Sequence, residues 1–158
     1  MQLSTRGRYA VMAMVDLATQ QAIGCECGPV CLAEIAARQQ LSLSYLEQLF
    51  GRLRRAGLVA SARGPGGGYR LARPSDCITV ADIVDAVDEA IRATRCSDGD
   101  GGCMMPPPGS DAGRCQTHEL WAELSRQIGL FLAGVTLADV VAGRVTGRAP
   151  APQALAAD

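Results

Sequence analysis

Residues 42–71, SLSYLEQLFGRLRRAGLVASARGPGGGYRL, restrict the fold more than any other stretch of the chain. Leu43, Leu46, Leu49, Phe50 and Leu53 recur at spacings of three and four. That period puts one apolar stripe on a helix to be buried, and leaves a polar face to solvent. Ser42 stands at an N-cap position, and Gly57 stands where a helix stop belongs. LVASAR, GPGGG and YRLA then read as a short strand, a Gly-rich turn and a second short strand. The turn resembles a phosphate-binding loop only superficially, because the Lys and the following helix of a P-loop are missing.

Two helices are expected before this block. The first covers residues 5–21 with Ser4 as cap; Ala10, Ala13, Met14, Leu17 and Ala18 share one side. A loop over residues 24–29 leads to a short helix over residues 32–40, with Leu32, Ile35 and Ala36 inward. Helix, helix, helix, β-hairpin is the element order of a winged helix-turn-helix, whose recognition helix presents its N-terminal side chains to base edges in the major groove. Ser42, Ser44, Tyr45, Glu47 and Gln48 are those side chains here. Gln pairs with adenine, and Glu accepts from cytosine N4. Arg52, Arg54, Arg55 and Arg63 are placed to meet phosphates or the minor groove. Gly64, Pro65, Gly66, Gly67 and Gly68 form the wing, where glycine lets backbone approach DNA closely.

Charge supports a polyanion partner. Residues 1–73 carry nine arginines against four acids, and residues 74–158 carry six against twelve, although the whole chain has a net charge of only −1. A basic front half and an acidic back half argue against wrapping DNA all round. No apolar run approaches the roughly 20 residues needed to span a bilayer. MQLSTRGRYA is not a secretory signal, since Asp16 interrupts the apolar stretch and no small-residue cleavage pattern follows. The protein is therefore expected in the cytoplasm. Its seven cysteines cannot all pair within the chain, and in a reducing compartment they point to metal binding or redox chemistry.

Beyond the hairpin, Thr79 and Asp82 form a capping box ahead of VADIVDAVDEAI. Val80, Ile83, Val84 and Val87 mark the inner face of that helix, and its acids mark a solvated face rather than an acid–base pair. His118 opens a longer helix, HELWAELSRQIGLFLAGV. Its stripe of Leu120, Trp121, Leu124, Ile128, Phe131, Leu132 and Val135 is broad enough to pair with a second copy. A two-fold dimer also suits a helix-turn-helix protein reading a two-fold operator. Thr136 and Asp139 start one more short helix, TLADVVAG. No internal repeat is evident. The expected organisation is a DNA-binding domain over 1–73, a ligand loop with dimerisation helices over 74–142, and a Pro/Ala-rich, disordered tail over 143–158. The fold class is mainly α with a small β-hairpin.

Cys96, Cys103, Cys115 and His118 make a complete four-ligand metal set, spaced C-x6-C-x11-C-x2-H. Residues 97–114 include five glycines and three prolines, so the loop packs little apolar surface of its own. On ligand types alone an iron–sulfur cluster, a structural zinc ion and no metal at all stay open. Catalysis by a nucleophile is disfavoured. His118 is the only histidine, and no Ser or Cys can be assembled with a base and an orienting acid.

LSTRGRYAVMAMVDLA, the 42–71 block, AVDEAIRATRC and the C-x2-H ahead of LWAELS together resemble the IscR family of iron–sulfur cluster regulators, over residues 1–142. The resemblance implies a homodimeric winged helix-turn-helix regulator holding a [2Fe–2S] cluster on Cys96, Cys103, Cys115 and His118. Cluster state would set which promoters are bound, for repression or activation. The loaded form would repress cluster-assembly genes, with an assembly scaffold as candidate cluster donor. It also implies that Glu47 restricts the cluster-free form to one class of site. The alternatives are a nitric-oxide-sensing relative, against which the histidine counts, a zinc-stapled repressor, and an iron–sulfur carrier without a DNA role. Two features depart from the family. The Cys103–Cys115 gap holds eleven residues including Pro106, Pro107 and Pro108, and Cys25, Cys27 and Cys31 (CECGPVC) have no family role. Those three thiols could bind a second metal, form a disulfide under stress or be inert, and the lack of a fourth partner favours the inert reading. Cys77 reads as a small apolar filler.

Overall fold

The computed structural model describes residues 5–23, 28–64, 66–87 and 116–145. Its elements are α1 (Thr5–Ile23), α2 (Leu32–Gln39), α3 (Leu43–Arg55), β1 (Val59–Ala62), β2 (Gly68–Leu71), a 3-10 turn (Ser75–Cys77), α4 (Val80–Ala86), α5 (His118–Gly134) and α6 (Leu137–Val141). The expected cap Ser4, residues 24–27 of the first loop, residues 88–91 of the expected fourth helix and most of the expected tail lie outside the described residues.

The helical stripes bury as their periods require. Ala10, Ala13, Met14, Leu17 and Ala18 of α1 are buried together with Leu32, Ile35 and Ala36 of α2 and Leu46, Leu49, Phe50 and Leu53 of α3. Small residues on α1 let the other helices come close. Each large aliphatic or aromatic side chain taken from water contributes about 1.5–3 kcal/mol. Ile78, Ile83, Val87 and Leu137 join the same core. Leu43 departs from the expected stripe and is 41% exposed. It is the first residue of α3, and the core begins one turn later. At the other end of α3, Gly57 takes φ +70°, the left-handed stop expected of it.

α1 and α2 are also joined through charge. Asp16 is buried, and its carboxylate accepts from Arg38 Nη2 at 2.6 Å, from Arg38 Nε at 3.0 and 3.1 Å, and from Gln39 Nε2 at 2.7 Å. The side chain that interrupts the apolar stretch of α1 is thus a fully bonded buried acid. The left-handed conformation of Gln40 (φ 53°, ψ 42°) then turns the chain from α2 toward α3.

The hairpin is antiparallel, with Val59 opposite Leu71 and Ala62 opposite Gly68. It is extended by a rung absent from the sequence reading: Val30 and Tyr69 exchange two backbone hydrogen bonds, each 2.8 Å. The Tyr69 ring meets Phe50 edge-on at 4.9 Å, and the Leu71 N–H donates to Gln21 Oε1 at 3.1 Å. The wing's base is therefore fixed to α1 and α3.

An internal repeat, not recognised from sequence, emerges from the pairing of α4 with α6. Residues 78–84 read ITVADIV and residues 135–141 read VTLADVV. Both Thr-x-x-Asp segments form the capping box, Thr79 with Asp82 and Thr136 with Asp139. They meet antiparallel at Thr79 and Thr136: the Val80 N–H donates to the Val135 carbonyl at 2.9 Å, and the Leu137 N–H to the Ile78 carbonyl at 2.8 Å. The pair is locally two-fold symmetric. It ties the end of α5 to the start of α4.

Along α5 the expected outward stripe divides. Leu132 and Val135 bury against Val80 and Val84 of α4, so these two expected dimer residues belong to the chain's own core. Trp121, Leu124 and Ile128 are half-buried, whereas Leu120 and Phe131 are exposed, as is Leu130, which the sequence reading passed over. Among the described residues no helix is long and apolar enough to cross a membrane.

The Asp16 site predicts an asymmetry. Arg38→Ala leaves a buried carboxylate with Gln39 alone and is expected to cost about 3 kcal/mol, whereas Asp16→Ala frees a partly exposed guanidinium to water and costs about 1 kcal/mol. Urea unfolding of the two variants measures both.

Candidate nucleic-acid interface and ligand segment

The buried stripe of α3 decides what its other face offers. Ser42, Ser44, Glu47 and Gln48 are exposed together on that face, ahead of exposed Arg54 and Arg55. Ser42 has the backbone of an N-cap (φ −65°, ψ 129°), but its side chain makes no capping bond. Its hydroxyl lies 2.9 Å from that of Ser44 instead. Tyr45 is half-buried: its ring meets Tyr9 of α1 edge-on at 6.2 Å. That contact brings the first turns of α1, with exposed Arg8, beside the N-terminal end of α3. The sequence reading missed Arg8, because the Tyr9–Tyr45 contact that sets it beside α3 joins residues distant in sequence.

The other expected phosphate contacts differ among themselves. Arg63 is exposed at the root of the wing, and Arg55 Nε donates back to the Gly51 carbonyl at 3.3 Å. Arg52 is half-buried and donates through Nη1 to the Val87 carbonyl at 3.4 Å. In the wing the Gly67 N–H closes a turn onto the Gly64 carbonyl at 2.8 Å. Gly64 (φ +111°) and Gly66 (φ +76°) take conformations that side chains oppose. Gly68 is required for a different reason: a Cβ there would stand 2.3 Å from the Val30 carbonyl oxygen. Pro65 lies outside the described residues.

Of the ligand set, Cys96, Cys103 and Cys115 lie outside the described residues, as do Cys25 and Cys27. His118 is the first residue of α5 and is half-buried. The turn before it is held by the Trp121 indole N–H, which donates to Thr117 Oγ1 at 3.1 Å. Among the described residues no three metal-ligating side chains converge. Cys31 and Cys77 are exposed free thiols. For Cys77 this corrects the expectation of an apolar filler: in the 3-10 turn it is the next residue, Ile78, that points into the core. The hydrogen bond and charge of Asp76 push the Cys77 thiol up from its ordinary value.

Comparison with known proteins gives a consistent result. The sequence model of the Rrf2 family, described as iron-dependent transcriptional regulators, matches residues 3–143. The HTH-type transcriptional regulator IscR of Klebsiella pneumoniae is 51% identical over 141 residues, covering 89% of this chain and 80% of the relative. Two solved structures are similar in fold. CymR of B. subtilis, a global cysteine regulator, has a TM-score of 0.70 at 33% identity, over 90% of this chain and 98% of its own. IscR of T. potens has a TM-score of 0.67 at 37% identity, over 90% and 88%.

Two outcomes are expected from this geometry. Gly68→Ala should push the wing off its bridge to Val30 and lower duplex-DNA affinity roughly tenfold, equivalent to about 1.4 kcal/mol, while helical circular dichroism is retained; fluorescence anisotropy on labelled DNA reads the loss. Asp76→Asn should raise the thiolate fraction of Cys77 and speed its alkylation at pH 8 by roughly a few fold, followed by peptide mass spectrometry.

Proposed function

The chain belongs to the Rrf2 family of transcriptional regulators, and from that premise we propose a dimeric regulator whose promoter choice follows an iron–sulfur cluster held by Cys96, Cys103, Cys115 and His118. DNA binding itself, and the absence of an enzymatic role, follow from the family. The finer reading is carried by one observation: a complete Cys₃His donor set closes on the first residue of the helix that bears the exposed apolar face.

Three thiolates and one imidazole fit a [2Fe–2S] cluster, in which histidine replaces cysteine at some sites. They would also fit zinc. The description of the family as iron-dependent favours iron. A bound cluster supplies oxidant-sensitive iron and sulfide, which is what makes the site a sensor rather than a staple. His118 ties the ligand set to the start of α5, and α5 is joined through Val135 to α4.

On the DNA, Gln48 is placed to pair with adenine and Glu47 to accept from cytosine N4, with Ser42 and Ser44 as flexible donors or acceptors. Glu47 would also reject sites that offer it no donor, so it restricts the cluster-free form. Arg54, Arg55, Arg63 and the wing glycines serve the phosphate backbone. Leu120, Leu130 and Phe131, with Trp121, Leu124 and Ile128, offer a second copy the apolar face that two-fold operator binding needs. In this reading the protein acts in the cytoplasm. Its loaded form represses cluster-assembly genes and receives its cluster from the assembly scaffold, and at other promoters it activates.

Protein purified without oxygen tests the cofactor. Visible charge-transfer bands with about two irons and two sulfides per chain are expected, lost on replacing any of the four ligands. Zinc without sulfide, persisting after attempted cluster reconstitution, contradicts the assignment.

A further inference from the structure

α4 is seven residues long and is held at both ends. Its start is paired with the α5–α6 junction through the hydrogen bonds of Val80 with Val135 and of Leu137 with Ile78. At its finish the Val87 carbonyl accepts from two arginines, Arg6 Nη1 and Arg52 Nη1, each at 3.4 Å. Carbonyls at a helix C-terminus have no partner within the helix and carry the negative end of its dipole, so guanidinium groups are favoured there. Arg6 comes from α1 and Arg52 from α3. Arg52 is also half-buried, unlike its exposed neighbours Arg54 and Arg55.

We propose that Arg52, together with Arg6, is a positioning residue for DNA reading rather than a phosphate contact: by holding the Val87 carbonyl it fixes the angle between α3 and, through α4, the helix α5 on which two copies meet. The inference rests on the dimeric reading above. It separates two properties that a phosphate contact would change together. The affinity of one recognition helix for one half-site depends on α3 and the wing. The distance between two recognition helices depends on how each α3 is fixed to its own α5. Arg52 acts on the second property, although its place in the recognition helix suggests the first.

The test uses the full chain and three kinds of duplex: one selected by the wild-type protein from a random pool, one carrying a single half-site of it, and versions with one or two base pairs inserted or removed between the half-sites. Arg52→Gln and Arg6→Gln are each expected to weaken binding to the selected duplex roughly tenfold, the scale of a lost charge-assisted hydrogen bond. Both should flatten the dependence on spacing, leave half-site affinity within about twofold, and leave the slope of log affinity against log salt unchanged, since no phosphate contact is lost. Arg52→Met, which keeps the apolar stem but has no donor for the Val87 carbonyl, should lose the spacing preference too; it carries the test if the glutamine variant fails to fold, which thermal melting reports. Half-site and two-site affinity falling equally, with a salt slope smaller by about one, would overturn the inference and make Arg52 a phosphate contact. A wild-type protein indifferent to spacing would instead remove the dimeric reading beneath it.

Discussion

The burial of one face of α3 decides what that helix leaves exposed. Leu46, Leu49, Phe50 and Leu53 are in the core with Ala10, Ala13, Met14 and Leu17. Because a helix has one rotation about its axis, burying that face settles which side chains remain outside. Ser44, Glu47 and Gln48 are exposed for this reason. The same core reaches the wing, since the Phe50 ring meets Tyr69 and Tyr69 pairs with Val30. Recognition helix and wing are thus presented by one packed unit rather than by two independent parts.

The helices were legible because their signal is local. Periods of three and four name the buried face of α1, α2, α3 and α4 without any knowledge of partners. Both capping boxes were legible for the same reason, each being written within four residues. Contacts between distant residues were not. Asp16 reads as a break in an apolar run, and nothing nearby in sequence announces Arg38, whose guanidinium satisfies it. Val30 has no strand around it, so its pairing with Tyr69 is visible only in three dimensions. The kinship of ITVADIV with VTLADVV is short enough to pass unnoticed until the two segments are seen to pair. Periodicity also cannot say how far along a helix the core extends, which is why Leu43 is exposed, nor whether an apolar stripe faces its own chain, which is why Leu132 and Val135 pack inward.

The candidate site divides along the same line. The exposed polar face of α3, where the proposed base-reading side chains lie, follows from its buried stripe and was legible, but the partition of the arginines was not. Arg52 and Arg55 lie on one helix, three residues apart, yet Arg52 reaches the end of α4 and Arg55 returns to its own helix. Only tertiary placement distinguishes them. The proposed ligand set rests on sequence chemistry alone, three thiols and an imidazole at C-x6-C-x11-C-x2-H. What the fold adds is the position of His118 at the head of α5, and the attachment of the other end of α5 to α4 through Val135. His118 and α3 are thereby connected through α5 and α4.

The central claim is that one chain changes its choice of DNA with the state of its cluster. The most direct measurement is selection of duplexes from a random pool by the same preparation, once loaded with cluster under anaerobic conditions and once after the cluster has been removed, followed by sequencing of both pools. The account predicts two distinct sets of sites, with the cluster-free protein confined to a narrower one. Identical sets from the two preparations would contradict it, leaving a DNA-binding regulator whose metal site does not govern what it reads.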